Sequence, residues 1–398
     1  MFLRSRVIFI LCLFLSFNVS AQSDSTVSTD PNYGTFRFFS IKLHAGKNFY
    51  TGASLTNELK HGYGAIELRT GWQSKGKKHW ENQYNYPAYG IGWYTGYVGD
   101  VDIFGQPNAL FGFITFPITR GKLNSFHIEP ALGFTFNLKP YNRDHNSIND
   151  AIGSKFAIYF SLHGGGQYRL NREVDLLYGI DFTHFSNGRT VTPNLGLNMA
   201  GFSLGALYNF NGTQHKVDNS EHPKTILEAR PTFGKTAGPD KIRENNVSLY
   251  QAIGTVQNKD DAGTTHSYLT SSTVLEYQHK FNTMHGISFG FDAFIDPSAR
   301  DTAEYPLNKE KMETFFPSVH VGYDFMFWRL TVRLQIGYNL TTIGRELKGN
   351  TFMRPALRYE FTKRFYGQVG LKTMNGATAD WIEFGAGYKL FYRRHSLD

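Results

Sequence analysis

Apolar and polar residues alternate with a period of two along much of the chain, and the segments that do so are long. In residues 126–138 every second position from Phe126 onward is apolar or proline, while polar and small residues such as His127 and Thr135 lie between. The same alternation occurs in residues 286–296, 319–327 and 330–338. This period is typical of β-strands whose two faces meet different surroundings. The longer segments match a tilted membrane crossing better than the short strands of soluble proteins.

Composition supports the same interpretation. The 398 residues include 40 Gly, 35 Phe and 23 Tyr, yet the mean hydropathy is only −0.36. Beyond the first 21 residues, no apolar run reaches the length of a membrane-spanning helix. A soluble β-sandwich with one wetted face would show the same alternation. Strand length therefore favours an antiparallel, up-and-down transmembrane β-barrel, with aromatic residues towards lipid and polar residues inside.

The pattern predicts about sixteen strands. They lie near 35–49, 62–73, 88–98, 109–119, 124–139, 155–170, 174–187, 196–211, 225–235, 246–256, 266–281, 284–297, 313–327, 328–341, 351–363 and 364–392, the last read as a hairpin. An even strand number puts both termini in the periplasm and the turn at 187–195 on the extracellular side.

The chain divides into four predicted parts. Residues 1–21 have the charged start, short apolar core and small-residue end of a secretory signal peptide, and they contain Cys12, the only cysteine. Residues 22–211 form a first barrel half with the candidate site, 212–224 a polar linker, and 225–398 a second half. The mature chain is therefore expected to contain no disulfide and no cysteine-bound metal.

An internal repeat links the two halves and suggests a duplicated eight-strand unit. Tyr178-Gly179 precedes Asn187-Gly188 at the same spacing as Tyr366-Gly367 precedes Asn375-Gly376. In the second copy, Lys372 takes the place of His184 and Met374 that of Ser186, so this half lacks the serine that is the candidate nucleophile of the first half. The repeat is compatible with one large barrel or two small ones. A single continuous barrel is favoured, because a short linker would crowd two barrels.

The candidate chemistry lies in residues 178–210, which read as two strands and a turn. His184 and Ser186 share one face of the first strand with Phe182, and Asn198 shares one face of the second with Phe202. If the two faces coincide, a serine, an imidazole and an amide meet on the apolar side of the sheet. These are the components of a nucleophilic hydrolase site. The G-x-S-x-G match at 201–205 lies in mid-strand, where the sharp turn that this motif needs is not expected.

The same residues carry a resemblance to a known family. His184-Phe185-Ser186-Asn187, followed by Pro193-Asn194, Gly196 and position 198, resembles the signature of outer-membrane lipid A 3-O-deacylases of the PagL type, which are grouped with acyloxyacyl hydrolases. The resemblance implies an eight-stranded barrel that hydrolyses an ester-linked acyl chain of lipid A. It makes Ser186 the nucleophile and His184 the general base, with backbone N–H groups of Asn187 and Gly188 at the oxyanion. The family's third residue is usually Glu, whereas this chain has Asn198.

The remaining expectations concern ligands. Phe182 and Phe202 are expected to line the acyl chain, and Arg189 to contact a phosphate of lipid A. No zinc motif or phosphate-binding loop appears, so no metal or cofactor is implied. The formal charge of +8 is not arranged as a basic run interleaved with aromatics, which argues against nucleic acid. The expected partners are lipopolysaccharide and outer-membrane lipids, with no prediction of oligomeric state. A non-catalytic channel or structural barrel, and a phospholipid acyl hydrolase, remain as alternatives.

Overall fold

The computed structural model describes residues 32–213, 228–299, 314–375 and 378–396. The predicted signal peptide and residues 214–224 of the predicted linker lie outside these ranges. Within them, none of the helices is both long and apolar enough to cross a membrane.

The described chain is almost entirely β-structure. The strands are β1 (Phe36–Asn48), β2 (Tyr63–Gln73), β3 (Ala88–Tyr97), β4 (Gly105–Arg120), β5 (Asn124–Leu138), β6 (Ala157–Arg169), β7 (Val174–Ser186), β8 (Leu197–Asn211), β9 (Lys241–Val256), β10 (Tyr268–Asn282), β11 (His285–Ile295), β12 (Phe315–Phe327), β13 (Leu330–Asn339), β14 (Thr351–Glu360), β15 (Phe365–Met374) and β16 (Thr378–Ser396). Short helices lie in the connections: α1 (His79–Gln83), α2 (Val101–Phe104), α3 (Thr342–Lys348) and a 3-10 turn (Pro297–Ala299).

The strands form two closed antiparallel barrels, one from β1–β8 and one from β9–β16. The first barrel closes because β8 returns to β1, pairing from Asn211 opposite Phe36 to Met199 opposite Asn48. The second closes where β16 pairs with β9. The up-and-down class and the sixteen strands are confirmed, whereas the preference for one continuous barrel is wrong. Once β8 has paired with β1, no free edge remains in the first barrel for β9.

Two errors in the predicted strand list cancel in the total. The predicted strand at 225–235 is wrong in its described part, since residues 228–240 form no strand. The backbone pairing that a strand requires is interrupted there by Pro231, Gly234, Gly238 and Pro239. The segment 364–392, counted once, is instead the two strands β15 and β16.

The interior of each barrel contains buried ion pairs beside buried aromatic side chains, such as Tyr94 and Phe111 in the first. In the first, the Lys42 Nζ lies 2.7 Å from Glu129 Oε1, and both residues are buried. In the second, Arg333 bridges Asp324 at 2.8 Å and Glu276 at 2.9 Å, with all three buried. Such pairs satisfy charges that would otherwise be costly to remove from water. They also occupy the space through which a solute would pass.

The outer surfaces are apolar by contrast. Exposed side chains recur at every second position, for example Phe39, Ile41 and Leu43 on β1 and Phe289 and Phe291 on β11. The alternation that predicted the strands therefore separates an interior of ion pairs and buried aromatic rings from an outward apolar face, as lipid requires.

The two barrels contact each other at both ends. At one end, the hydroxyl of Thr192 between β7 and β8 donates to the carbonyl of Asn258 after β9, at 2.9 Å. At the other, the hydroxyl of Tyr84 donates to the carbonyl of Met326 at 2.6 Å, beside a cluster of aromatic rings around Phe327. The barrels therefore stand side by side, with the turn between β7 and β8 against the second barrel.

Candidate active site

The ends of β7 and β8 bring the predicted residues together. The two strands are antiparallel neighbours, and their register sets His184 directly opposite Asn198. Phe185 points into the barrel, where it is fully buried and its ring packs on Tyr94 at 5.9 Å between centroids. Because successive strand residues point to opposite sides, His184 and Ser186 face outward. The inward aromatic anchor thus fixes the outward direction of the two residues beside it.

The imidazole of His184 is held by Asn198. The two atoms in contact are His184 Nδ1 and Asn198 Oδ1, 2.7 Å apart. An amide oxygen can only accept a hydrogen bond, so Nδ1 carries the proton and Nε2 is left with a free lone pair. This is the tautomer that a general base requires.

Two donors converge on the hydroxyl oxygen of Ser186. The backbone N–H of Gly188 donates to it at 3.2 Å, and the side-chain amide of Asn194 donates at 2.8 Å. Ser186 is only 7% exposed. The hydroxyl is not hydrogen-bonded to His184, although the two residues lie two positions apart on the same face of β7.

Asn194 is a site residue that sequence reasoning missed. The sequence indicates Asn194 only as part of the turn and of the family signature, yet its amide nitrogen contacts Ser186 and its oxygen accepts the backbone N–H of Asn187 at 3.1 Å. This changes the assignment of Asn187, whose N–H is engaged by Asn194 and whose side chain donates to Val191 O at 2.8 Å. Asn187 therefore shapes the turn, and the donors at the serine are Gly188 and Asn194.

Residues 187–196, here called the 187–196 turn, are held from the side of the first barrel. The backbone N–H groups of Leu195 and Gly196 donate to the carbonyls of Asp150 and Ala151 at 3.1 and 3.0 Å. The Asp150 carboxylate in turn accepts the hydroxyl of Tyr50 at 2.5 Å. Burial and this hydrogen bond raise the pKa of Tyr50 to about 12, so the phenol remains a donor across the physiological range.

Gly196 is required for two reasons. Its φ is +77°, a conformation that side chains rarely adopt. A Cβ at this position would also lie 3.0 Å from Cε1 of the His184 ring. The absence of a side chain at position 196 therefore leaves room for the imidazole.

Arg189, which is expected to contact a lipid phosphate, contacts the second barrel in the structure. Its guanidinium points into the end of the second barrel, where Nε donates to Asp380 O at 3.1 Å and Nη2 lies 3.2 Å from both Asp380 Oδ1 and Ser298 Oγ. Asp296 is 3.7 Å away. Through these contacts the charged group of Arg189 joins the two barrels, and its contact with a lipid phosphate stays a prediction.

Comparison with known proteins identifies the family. Residues 64–206 match the family model described as lipid A 3-O-deacylase (PagL), and residues 245–394 match the model described as acyloxyacyl hydrolase, C-terminal domain. The first match lies within the first barrel and the second within the second barrel, and together they cover most of the chain. The chain belongs to the PagL family. It is therefore an outer-membrane protein of a hydrolase family that deacylates lipid A.

Other comparisons are less informative. No curated protein matches the chain. Among solved structures, Neisserial surface protein A is similar at 10% identity with a TM-score of 0.30, covering 44% of this chain and 96% of its own. The Acinetobacter baumannii outer membrane protein Omp33 is similar at 8% identity with a TM-score of 0.17, covering 90% and 98%.

The PagL-family site opens onto an apolar outer wall. Phe182 and Phe202 lie on β7 and β8 just below His184 and Asn198, and they are 37% and 74% exposed. Phe160 on β6 is the pairing neighbour of His184 and is also exposed. The polar site is therefore surrounded by rings on the face that meets lipid.

The second barrel of this PagL-family chain does not carry a copy of the site in the same orientation. Tyr366, which aligns with the outward-facing Tyr178, is fully buried, and Lys372, which aligns with His184, points inward to Asp380 at 2.7 Å. The repeat in sequence is real, but the faces of its first strand are exchanged, because a shift of one residue in a strand turns every side chain to the other side. The predicted equivalence of Lys372 and His184 is therefore wrong in space.

A second serine–histidine pair lies inside the first barrel. Ser203, from the G-x-S-x-G match, is 3.0 Å from His163 Nε2, and both residues are buried among lumenal charges. This pair faces the filled interior, away from the lipid side. Among the described residues, no group of three His, Cys, Asp or Glu side chains is arranged to hold a metal ion.

Proposed function

We propose that this PagL-family protein is a serine esterase that removes an ester-linked acyl chain from lipid A, with Ser186 as nucleophile. The observation that carries the proposal is the set of polar groups around the outward-facing hydroxyl of Ser186. Gly188 and Asn194 donate to Ser186, and His184 stands two residues away in the basic tautomer fixed by Asn198. Polar side chains on a lipid-facing wall are costly unless they are paired or used, so their concentration at this point of the wall favours a functional role.

The first half of the reaction forms an acyl-enzyme. Nε2 of His184 takes the proton of Ser186, and Oγ attacks the carbonyl carbon of the ester. In the free protein the N–H of Gly188 and the side-chain amide of Asn194 donate to Oγ. In the tetrahedral intermediate the oxyanion lies on the carbonyl oxygen beside Oγ, and these two donors shift from Oγ to that oxygen and stabilise it. The tetrahedral intermediate collapses, the C–O bond to the sugar breaks, and His184 returns the proton to the leaving alkoxide.

The second half releases the fatty acid. Water gives a proton to His184 and attacks the acyl-serine, and collapse of this intermediate returns the proton to Ser186. The products are one free fatty acid and lipid A with one hydroxyl in place of the ester. No metal or organic cofactor takes part in these steps.

The neutral Asn198 stabilises the imidazolium of His184 less than a carboxylate would. It holds the tautomer through one hydrogen bond, but it does not stabilise the imidazolium by charge. We therefore infer a slower enzyme than one with Glu at this position, working through the same groups.

The substrate is expected to approach along the barrel wall. Lipid A resides in the outer leaflet, and the 187–196 turn is assigned to the extracellular side. An acyl chain lying against Phe182 and Phe202 would bring its ester to the height of Ser186. Specificity for lipid A over a glycerophospholipid is the finer part of the proposal.

A channel function has weaker support. The interiors of both barrels are crossed by buried ion pairs, such as Lys42 with Glu129 and Arg333 with Asp324. A solute would have to break several of these pairs to pass, each at a cost of about 3 kcal/mol or more.

The test is mass spectrometry of lipid A after incubation with the refolded protein, in parallel with a phosphatidylethanolamine sample. We expect the lipid A mass to fall by one acyl chain, and we expect the Ser186→Ala variant to leave it unchanged. Loss of acyl chains only from the phospholipid would redirect the proposal to that substrate. Intact lipids in both samples would exclude the esterase.

A further inference from the structure

The 187–196 turn is bound by the second barrel as well as the first. The backbone N–H of Gln257, which follows β9, donates to the carbonyl of Arg189 at 3.1 Å. The side-chain oxygen of Gln257 accepts the N–H of Thr192 at 2.9 Å. Gln257 is itself fixed, because its amide nitrogen donates to the carbonyl of His266 at 2.7 Å. The turn that carries the two serine donors thus has a rigid partner outside its own barrel.

The start of the turn has a backbone shape that needs support. Gly188 and Arg189 have φ values of +62° and +64°. The second of these is unfavourable for a residue with a side chain. There is also no free space beside Gly188, since a Cβ there would lie 2.5 Å from Cγ1 of Ile382 in β16. The orientation of the Gly188 N–H towards Ser186 depends on this backbone.

The charges around Arg189 indicate which barrel its ion pair stabilises. Asp296 and Asp380 are buried at the end of the second barrel, where Lys348 pairs with both and Lys372 lies 2.7 Å from Asp380. Two lysines therefore already balance two carboxylates. Arg189 is not needed to neutralise the second barrel, so its ion pair chiefly fixes the turn to which it belongs.

We propose that the second barrel positions the oxyanion donors of the first, with Arg189 as the positioning residue. Arg189 inserts between Asp380 and Ser298 and thereby holds the left-handed backbone that aims the Gly188 N–H at the serine. This inference rests on the proposed function for its effect on rate, but the contact itself is independent of catalysis. It gives the second barrel, which carries no copy of the site, a role in the reaction.

The experiment compares Arg189→Ala and Arg189→Lys with the native protein. Tyr84→Phe is the matched control, because it removes a hydrogen bond between the barrels at the opposite end. For Arg189→Ala we expect kcat on lipid A to fall about 10- to 100-fold with KM changed less than about twofold, because misplaced donors affect the transition state and not binding. Arg189→Lys keeps the charge and is expected to recover part of kcat, and Tyr84→Phe to behave as native.

A second readout does not depend on activity. Hydrogen–deuterium exchange of the peptide spanning 187–196 is expected to be at least about tenfold faster in Arg189→Ala and unchanged in Tyr84→Phe. If Arg189 bound a lipid phosphate instead, KM would rise, kcat would stay native and exchange of the turn would not change. That result would overturn the proposal. If the native protein has no esterase activity, the proposed function fails, and the exchange measurement alone decides whether the second barrel holds the turn.

Discussion

The contact between Asn198 and His184 gives the sharpest prediction about catalysis. Asn198→Ala removes the hydrogen bond between His184 Nδ1 and Asn198 Oδ1, which is 2.7 Å long in the native protein. The ring is then free to rotate and to exchange tautomers. Asn198→Asp is the matched variant, since it keeps an oxygen of the same reach and adds a negative charge.

The expected loss of kcat in Asn198→Ala follows from the strength of this hydrogen bond. A neutral, partly buried hydrogen bond contributes about 1 to 2 kcal/mol. At 1.36 kcal/mol per factor of ten, losing it should lower kcat about 5- to 30-fold. In serine proteases, replacing the aspartate of the triad costs about 10⁴, because the substituted amide imposes the wrong tautomer. Here the oxygen of Asn198 faces the ring, so the tautomer is already correct and the smaller loss is expected.

The assay is the initial rate of fatty acid release from lipid A in mixed micelles, with barrel folding checked by heat-modifiable gel mobility. We expect Asn198→Ala to retain a measurable fraction of kcat and Asn198→Asp to equal or exceed the native rate, because the carboxylate stabilises the imidazolium. An Asn198→Ala rate within twofold of native would refute the orienting role. An Asn198→Asp rate as low as that of Asn198→Ala would refute the argument from charge.

Three further variants test other parts of the site and fold. Asn194→Ala removes a donor to Ser186 and should lower kcat about 10²-fold with KM nearly unchanged; a native rate in steady-state assays would remove Asn194 from the oxyanion site. Gly196→Ala should lower the free energy of unfolding by about 1 kcal/mol or more, because the backbone at this position is left-handed, and should lower kcat at least about tenfold, because the added methyl presses on His184. Native activity and an unchanged unfolding midpoint would contradict this. Glu276→Leu leaves the buried Arg333 and Arg358 without the carboxylate that they share, and should lower the free energy of unfolding by about 3 kcal/mol in urea titrations. An unchanged midpoint would show that the lumenal ion pairs are not needed for stability.

Much of this arrangement was predictable from local patterns. A period of two over ten or more residues gives both the strand and its outward face, so the positions of His184, Ser186 and Asn198 followed from alternation and a tight turn. The pairing of His184 with Asn198 required only that the two strands be neighbours, which a short connection favours.

Other features depend on contacts that no local pattern contains. Barrel closure is a choice between two partners for β8, and sequence alternation is the same whether β8 pairs with β1 or with β9. Asn194 has the residue type expected of any turn, so its contact with Ser186 has no separate signal. Arg189 resembles a solvated loop cation until the buried carboxylates of the second barrel are placed beside it. The repeat misled because equal spacing does not fix which face a strand presents, and Tyr366 lies on the opposite face from Tyr178.

Covalent labelling of the refolded protein with an alkyl fluorophosphonate, followed by peptide mass mapping, tests directly whether Ser186 is the nucleophile. We expect a single adduct on Ser186 that is absent in Ser186→Ala, forms much more slowly in His184→Ala and is suppressed by excess lipid A. Label on the lumenal Ser203, or no label under conditions where lipid A is deacylated, would contradict Ser186 as the nucleophile.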